Sequence, residues 1–339
     1  MSKICILGSG SMGTALAHLI GGNGYKVVVW GIDKEASEHI NVHHENKSEH
    51  INVHHENKKF LPGVSLSKNV SANLILPLTL VDASVVMVAL PAQVVGQVLP
   101  ALHNHLVDNA VILSVSKGID VKSGQTVSQI IKSVLPETRH KNIAALMGPL
   151  FASEISTQVP SVGLLTVSDV KVFKFLQKIL VNKHFFVRYS DDLIGAELGG
   201  ALKNIYAILL GVCDGLGYGW NTKSALITAV VKEMAVVGQF LGGKKETFYG
   251  LAGMGDLLTT GFGEKSRNRR FGEKLCSGKS VRKAIKEIGH VVEGAATVKA
   301  VIKSLGAFKK RAPLLTAVND MVSKQKNPCA VLQKLFSVI

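Results

Sequence analysis

Lys203 stands in Glu-Leu-Gly-Gly-Ala-Leu-Lys-Asn (Glu197–Asn204), inside an otherwise apolar stretch of helical character. A lysine there either snorkels to water or works. If buried, its ammonium loses proton affinity and its pKa moves toward neutrality, where proton transfer is most effective. Asp256, in Gly-Leu-Ala-Gly-Met-Gly-Asp-Leu (Gly250–Leu257), could orient such a lysine, bind a substrate hydroxyl or cap a helix. In Ser266-Arg267-Asn268, the arginine offers a planar fork suited to phosphate, with hydroxyl and amide groups on either side. Lys117 follows a strand-like run, which puts it near the carboxyl edge of a sheet, where ligands of open α/β folds gather.

A second chemistry is written at the amino end. The run Lys3–Leu7 leads into Gly8-Ser9-Gly10-Ser11-Met12-Gly13, a G-x-G-x-x-G between a strand and a helix. The first glycine permits the tight turn, the second lets a pyrophosphate approach the backbone, and the third lets helix and strand pack closely. Free N–H groups at the helix start then face the phosphates, Ser11 and Met12 among them. Asp33 lies twenty residues beyond Gly13, at the distance of a ribose-binding acid, or else caps the next helix. The cofactor expected is NAD or NADP.

These residues need elements to hold them. Lys3–Leu7, Lys26–Trp30, Ser84–Leu90, Ala110–Val115 and Ile143–Met147 read as continuous apolar runs, the pattern of parallel strands buried on both faces. They alternate with helical stretches such as Thr14–Ile20. Beyond about residue 190 the strand-like runs stop. Helical stretches follow: Asp192–Cys213, Ser224–Leu241, Ser280–Ile288, Val292–Ser304 and Ala312–Ser323. The expected fold class is α/β: an N-terminal Rossmann-type, doubly wound parallel sheet over 1–190 that binds the dinucleotide, and a C-terminal all-helical, substrate-binding domain over 191–339.

The 339 residues are 47% hydrophobic and 19% charged, which excludes a disordered chain. Thirty-nine Lys and Arg against 24 Asp and Glu give a net charge of +15. Such a balance suits anionic ligands, but aromatics are only 6% and the basic runs carry none between them, so no nucleic-acid partner is expected. Cys5, Cys213, Cys276 and Cys329 are far apart in sequence, without a C-x-x-C; no metal is expected, and the thiols suit a reducing compartment. No uninterrupted run of eighteen apolar residues appears, so no membrane span is expected. The chain begins a strand almost at once, so no leader is expected and the localisation is read as cytoplasmic. One feature stands apart: Ser37–Lys47 and Ser48–Lys58 carry the same eleven letters. His39 and His43 fall one helical turn apart, as in a metal site, yet eleven residues are also nearly three whole turns, as a helical insertion would need.

Taken in order, Ser116–Asp120, Gly148–Glu154, Glu197–Asn204, Gly250–Leu257, Ser266–Gly272 and Val291–Gly294 resemble the bacterial NAD(P)-dependent glycerol-3-phosphate dehydrogenases, from Ile4 to about Asp320. The resemblance implies an oxidoreductase that reversibly reduces dihydroxyacetone phosphate to sn-glycerol 3-phosphate for phospholipid biosynthesis. It makes Lys203 the general acid and base. It assigns Lys117, Gly148, Leu150, Asp256, Ser266, Arg267 and Asn268 to substrate. It assigns Phe60, Lys117, Ala152, Arg267, Val291 and Glu293 to cofactor, beside the glycine loop and Asp33. The assembly it allows is a homodimer. The chain also departs from the family pattern: Leu150 replaces a Ser or Thr, Ile32 an Arg or His, and Ala229-Val230 an Arg-Gly; the second copy of the repeat is extra. Alternative readings are a 3-hydroxyacid or 6-phosphogluconate type dehydrogenase and a catalytically weakened nucleotide-binding sensor. Against the first, Ser-Arg-Asn-Arg-Arg-Phe-Gly (Ser266–Gly272) is not expected in those enzymes.

Overall fold

The structure, a computed structural model, describes residues 2–31, 47–289 and 291–337, with side chains of the repeat from Ile51 onward. It divides into two units. The first comprises residues 1–116, 128–146 and 150–191; the second comprises 117–127, 147–149 and 192–339.

The first unit is built on eight strands: β1 (Lys3–Leu7), β2 (Lys26–Trp30), β3 (Val70–Asn73), β4 (Ala83–Val88), β5 (Val111–Ser114), β6 (Ile143–Met147), β7 (Ser161–Val167) and β8 (Phe185–Ser190). Their order is β3-β2-β1-β4-β5-β6-β7-β8. The pairs β1–β2, β1–β4, β2–β3, β4–β5, β5–β6 and β7–β8 are parallel. This is the Rossmann order, reversing between β1 and β4, the place where such sheets bind ligands. Residues Ile4–Leu7 and Val85–Val88 are almost wholly buried, as strands covered on both faces must be. Helices α1 (Ser11–Gly22), α2 (Lys47–His54), α3 (Leu76–Leu80), α4 (Ala92–His103), α5 (Val127–Val134), α6 (Ala152–Ser156) and α7 (Val170–Leu180) accompany the sheet. Leu16, Ile20, Leu176 and Leu180 join the strand side chains in one apolar core.

The second unit is helical: α8 (Leu193–Gly215), α9 (Trp220–Phe240), α10 (Lys245–Tyr249), a π turn (Leu251–Gly255), α11 (Asp256–Phe262), α12 (Arg267–Leu275), α13 (Val281–Ile288), α14 (Glu293–Leu305), a 3₁₀ turn (Gly306–Arg311), α15 (Pro313–Ser323) and α16 (Pro328–Leu335). Asp192 caps α8, accepting from the Gly195 N–H at 2.9 Å. By length and composition α8 could cross a membrane, but Gly195–Cys213 is buried within the unit, packed against α9, α11, α12, α14 and α15. Its apolarity is that of a core helix. A Cβ on Gly272 of α12 would collide with the Ile208 carbonyl, so glycine there lets α12 lie close on α8.

One of the polar groups buried in the second unit is Glu233 of α9. Its carboxylate accepts from Tyr206 Oη at 2.9 Å and from the Leu314 and Leu315 N–H groups at 2.8 Å, which satisfies the first turn of α15. Burial pushes its pKa up to about 7 against the pull of those donors.

The strand runs read from the sequence are present, Lys3–Leu7, Lys26–Trp30 and Ile143–Met147 with the same ends and the other two with ends moved by one or two residues; β3, β7 and β8 are additional. The first copy of the repeat through Asn46, with His39 and His43, lies outside the described residues. The second copy is docked in the first unit: Ile51 is buried, and Asn52 exchanges two hydrogen bonds with the Ala72 backbone, at 2.7 and 3.1 Å. Asn57 Nδ2 donates to the Ser9 carbonyl at 2.9 Å and to Thr14 Oγ1 at 2.8 Å, tying the copy to the glycine loop.

Two outcomes follow. Deleting Ser48–Lys58 yields the same sequence as deleting Ser37–Lys47, so the shortened chain still offers Asn, Ile and Asn at the docking spacing. Its melting temperature and cofactor affinity are expected to stay near those of the full chain; a large fall in either would show that the duplication itself is used. Asn57→Ala, which deletes nothing but the amide, is expected to cost about 1–3 kcal/mol in denaturant unfolding, because the Ser9 carbonyl keeps only the Thr14 hydroxyl as a donor and Thr14 Oγ1 loses the amide that it accepts from.

Candidate functional site

The glycine loop is shaped by collisions that only glycine avoids. Gly8 has φ +117°, and a Cβ there would stand 2.5 Å from the Ala89 carbonyl of the segment after β4. A Cβ on Gly13 would run into the Gly8 carbonyl, so α1 can approach β1 only with glycine at that point. Gly10 differs: a Cβ there would meet nothing within 4 Å. The loop thus presents open backbone at Gly10, at the start of a helix with no acidic residue in its first turn and no side-chain cap. That is what an approaching pyrophosphate requires. Ser11 is exposed and Met12 half-buried beside it. Phe60 follows Asn57, whose carbonyl accepts from the Phe60 N–H at 3.2 Å, with Lys59 Nζ 5.5 Å from the ring centre. Asp33 lies outside the described residues. Ala152 opens α6, half-buried against the core of the first unit. Leu150 puts its side chain into that core, so any polar contribution from it comes through the backbone.

The second unit gathers the charged residues. Asp256 opens α11 and is 1% exposed. Its Oδ1 lies 2.9 Å from Lys203 Nζ and its Oδ2 2.5 Å from Lys117 Nζ, so one carboxylate bridges two ammonium groups. Lys203 also donates to Thr260 Oγ1 at 2.5 Å, and Lys117 donates to the Gly148 carbonyl at 3.0 Å. The Lys117 stem runs beside Gly200, one turn before Lys203 on α8; a Cβ at Gly200 would stand 3.5 Å from its Cγ. Burial lowers the Lys203 pKa to about 8; Asp256 pulls it back up and Lys117 pushes it further down. Lys203 is therefore a buried amine whose pKa burial draws toward neutrality and whose position is fixed by two partners, Asp256 and Thr260.

Ser266 caps α12, its Oγ accepting from the Arg269 N–H at 3.3 Å. Arg267, the next residue, is exposed. Asn268 is buried: its Oδ1 accepts from the Gly294 N–H at 3.0 Å and its Nδ2 donates to Asn204 Oδ1 at 2.9 Å. Asn204 Nδ2 in turn donates to Glu293 Oε2 at 3.1 Å. Burial raises the Glu293 pKa, while Arg267, Lys203 and Lys117 pull it down. Val291 is exposed and supplies no polar side-chain atom.

The second unit thus brings together Lys117, Gly148, Lys203 and Asp256, and links Asn268 to Glu293. Three residues were not singled out from the sequence. Thr260 lies one helical turn beyond Asp256, a spacing that could have found it. Asn204 is the neighbour of Lys203 in the same string. Asn57 carries no such signal; only the fold reveals its place. Among the described residues, no three His, Cys, Asp or Glu side chains are arranged to hold a metal.

Residues 3–172 match the family described as NAD-dependent glycerol-3-phosphate dehydrogenase N-terminus, and residues 192–333 its C-terminus. The chain is 34% identical to a glycerol-3-phosphate dehydrogenase [NAD(P)+] of Fusobacterium nucleatum over 99% of this chain and 97% of that one. Against that of Clostridium perfringens it is 38% identical over 96% and 92%. The crystal structure of glycerol-3-phosphate dehydrogenase from Coxiella burnetii superposes with a TM-score of 0.87 at 29% identity, over 99% of this chain and 98% of that one. With both halves matched and relatives aligned over nearly their full length, the chain belongs to the NAD(P)-dependent glycerol-3-phosphate dehydrogenase family.

Proposed function

We propose that the chain reversibly reduces dihydroxyacetone phosphate to sn-glycerol 3-phosphate, with Lys203 as general acid and base, for use in phospholipid synthesis. The observation that carries this reading is the buried Lys203 ammonium held by Asp256 and Thr260, with Lys117 on the other oxygen of the same carboxylate. The four unpaired cysteines suit the reducing conditions of the cytoplasm.

The residues present fit a dinucleotide: open backbone at Gly10, a helix start without a competing side chain, and Phe60 held to the loop through Asn57. Gly8, Gly10, Ser11, Met12 and Gly13 would hold the pyrophosphate. Asp33 and Phe60 would serve the adenosine end, and Ala152, Val291, Glu293 and Arg267 would add contacts. A bound nicotinamide supplies and accepts the hydride.

The chain's own side chains do the rest. As the ketone becomes an alcohol, negative charge builds on its oxygen. The Lys203 ammonium meets that charge and then delivers the proton. Asp256 keeps the ammonium in place, and Thr260 accepts one of its hydrogens, leaving a third for substrate. Lys117 adds a second positive charge on the same carboxylate, which favours proton release from Lys203. Arg267, exposed at the start of α12, would grip the substrate phosphate, helped by the Ser266 hydroxyl and Asn268. Gly148 and Leu150 would contribute backbone groups. In the oxidative direction the neutral amine of Lys203 takes the hydroxyl proton.

The weakened-sensor reading finds no support in this cluster, where Lys203 and Lys117 share the Asp256 carboxylate.

Lys203→Ala is expected to lower turnover at least about 100-fold, with NADH affinity nearly unchanged. Near-normal turnover at saturating substrate would overturn the assignment. Arg267→Ala is expected to raise KM for dihydroxyacetone phosphate roughly tenfold or more, a charged hydrogen bond having been lost. The pH profile has a definite sign: Lys203 is the acid below its pKa of about 8, so ketone reduction should fall as pH rises through that value, and alcohol oxidation should fall as pH drops below it. Initial rates from pH 6 to 10 in both directions test this.

A further inference from the structure

The hydrogen bonds among Gly294, Asn268, Asn204 and Glu293 close into a ring, because Glu293 and Gly294 are adjacent in the chain. The direction of every bond in it is decided at one point. The Gly294 N–H can only donate, so Asn268 must turn its carbonyl oxygen toward it and its NH₂ toward Asn204. Asn204 must therefore receive with Oδ1 and donate with Nδ2, which the Gly200 carbonyl also accepts, at 3.3 Å. The last member, Glu293 Oε2, is left with no role but acceptor.

The ring also joins three functional elements. Asn204 is the neighbour of Lys203 on α8, Asn268 the neighbour of Arg267 on α12, and Glu293 opens α14. Glycine at 294 is needed for closure, since its missing Cβ would crowd the Asn204 backbone carbonyl and stand 3.1 Å from Asn268 Oδ1. Glu293 Oε1 has no hydrogen bond among the described residues; the charges that act on the carboxyl come from Arg267, Lys203, Lys117 and Asp256.

We infer that Asn204 and Asn268 are positioning residues for the reaction: their amides, oriented by the Gly294 N–H, hold Glu293 so that its outer oxygen accepts a hydrogen bond from a donor on the cofactor, the carboxamide NH₂ of nicotinamide being the group of that chemistry. This rests on the cofactor reading proposed above. The ring works as a polarity relay, and reversing it at any member turns the outer atom of residue 293 from acceptor to donor or forces a proton onto the inner one.

The relay is tested by mutual suppression in the full chain, read as NADH and NADPH dissociation constants from nucleotide fluorescence at pH 8, with a melting temperature for each variant. Glu293→Gln keeps an oxygen for Asn204 but turns an NH₂ outward, so affinity should fall about tenfold, as for a polar group facing the wrong partner. Asn204→Asp sets a carboxylate oxygen against Glu293 Oε2 and should cost at least as much. Combined, the two changes restore the pattern: the glutamine NH₂ turns inward to the new carboxylate and its oxygen turns outward, so the double variant should bind within about threefold of wild type. Asn268→Asp, which does not touch Glu293, should behave in the same way, because it flips Asn204; alone it should weaken binding, and Glu293→Gln should rescue it. Rescue by either pair supports the relay, so the other decides if one variant fails to fold. Double variants no better than the worse single change, at normal melting temperatures, would overturn it. If the wild-type chain bound neither NADH nor NADPH, the cofactor reading itself would fall and the inference with it.

Discussion

A buried ammonium is stable only if something replaces water around it, and at Lys203 that something is chiefly Asp256. The carboxylate is itself buried, so it too needs compensation, which it takes from two lysines rather than one. The arrangement is unequal by design of the chain. Lys203 loses proton affinity through burial and through its like-charged neighbour, and regains only part of it from Asp256. Lys117, with more of its side chain near solvent, lies 2.5 Å from the other oxygen of the same carboxylate. A single carboxylate between two amines therefore does the two things that the proposed acid–base role of Lys203 asks for: it fixes the ammonium in space, and it offsets only part of the proton affinity lost to burial.

Much of the second unit can be understood as support for that carboxylate. Asp256 needs a helix start, which the π turn over Leu251–Gly255 delivers. Lys203 needs a rigid partner helix, and α8 is rigid because nearly all of it is core. Lys117 must come close to α8, and Gly200 leaves room for its stem. Glu233 does comparable work far from the chemistry, since a buried acid that satisfies two backbone N–H groups of α15 and the Tyr206 hydroxyl locks α9 to its neighbours. Polar groups in this core occur where they have partners to hold, and apolar packing fills what lies between them.

The sequence was most legible where one physical cause acts alone. Strands β1, β2, β4, β5 and β6 are covered on both faces, so each is a continuous apolar run. Strand β8 escaped that criterion for a reason: at the edge of the sheet, Phe185 and Val187 are buried while Phe186 and Arg188 are exposed, giving alternation instead of a run. Strand β3, at the other edge, buries only Val70. The glycine loop, Lys203 and Asp256 were readable because rare residue types sit in strongly patterned surroundings. Asn57 and the Asn204–Asn268 ring were not, because an asparagine's value lies in which donor faces it, and that is decided by tertiary contacts between residues dozens of positions apart.

The departures from the family pattern can be weighed in the same terms. A leucine at 150 cannot offer a hydroxyl, but it is 6% exposed and packs with the apolar core of the first unit, so the exchange trades a polar contact for burial. Val230 is fully buried in the core of the second unit, and Ala229 packs against that core. None of the three touches the hydrogen bonds of Lys203, Asp256, Thr260 and Lys117, which are complete among themselves. In the proposed reaction proton transfer depends on that cluster, whereas a lost side-chain hydroxyl would bear on how firmly the substrate is held. With Lys203 as the proposed acid–base group, the cost of Leu150, Ala229 and Val230 should fall on binding before it falls on chemistry, because these three lie in or against apolar cores, where packing can absorb the change.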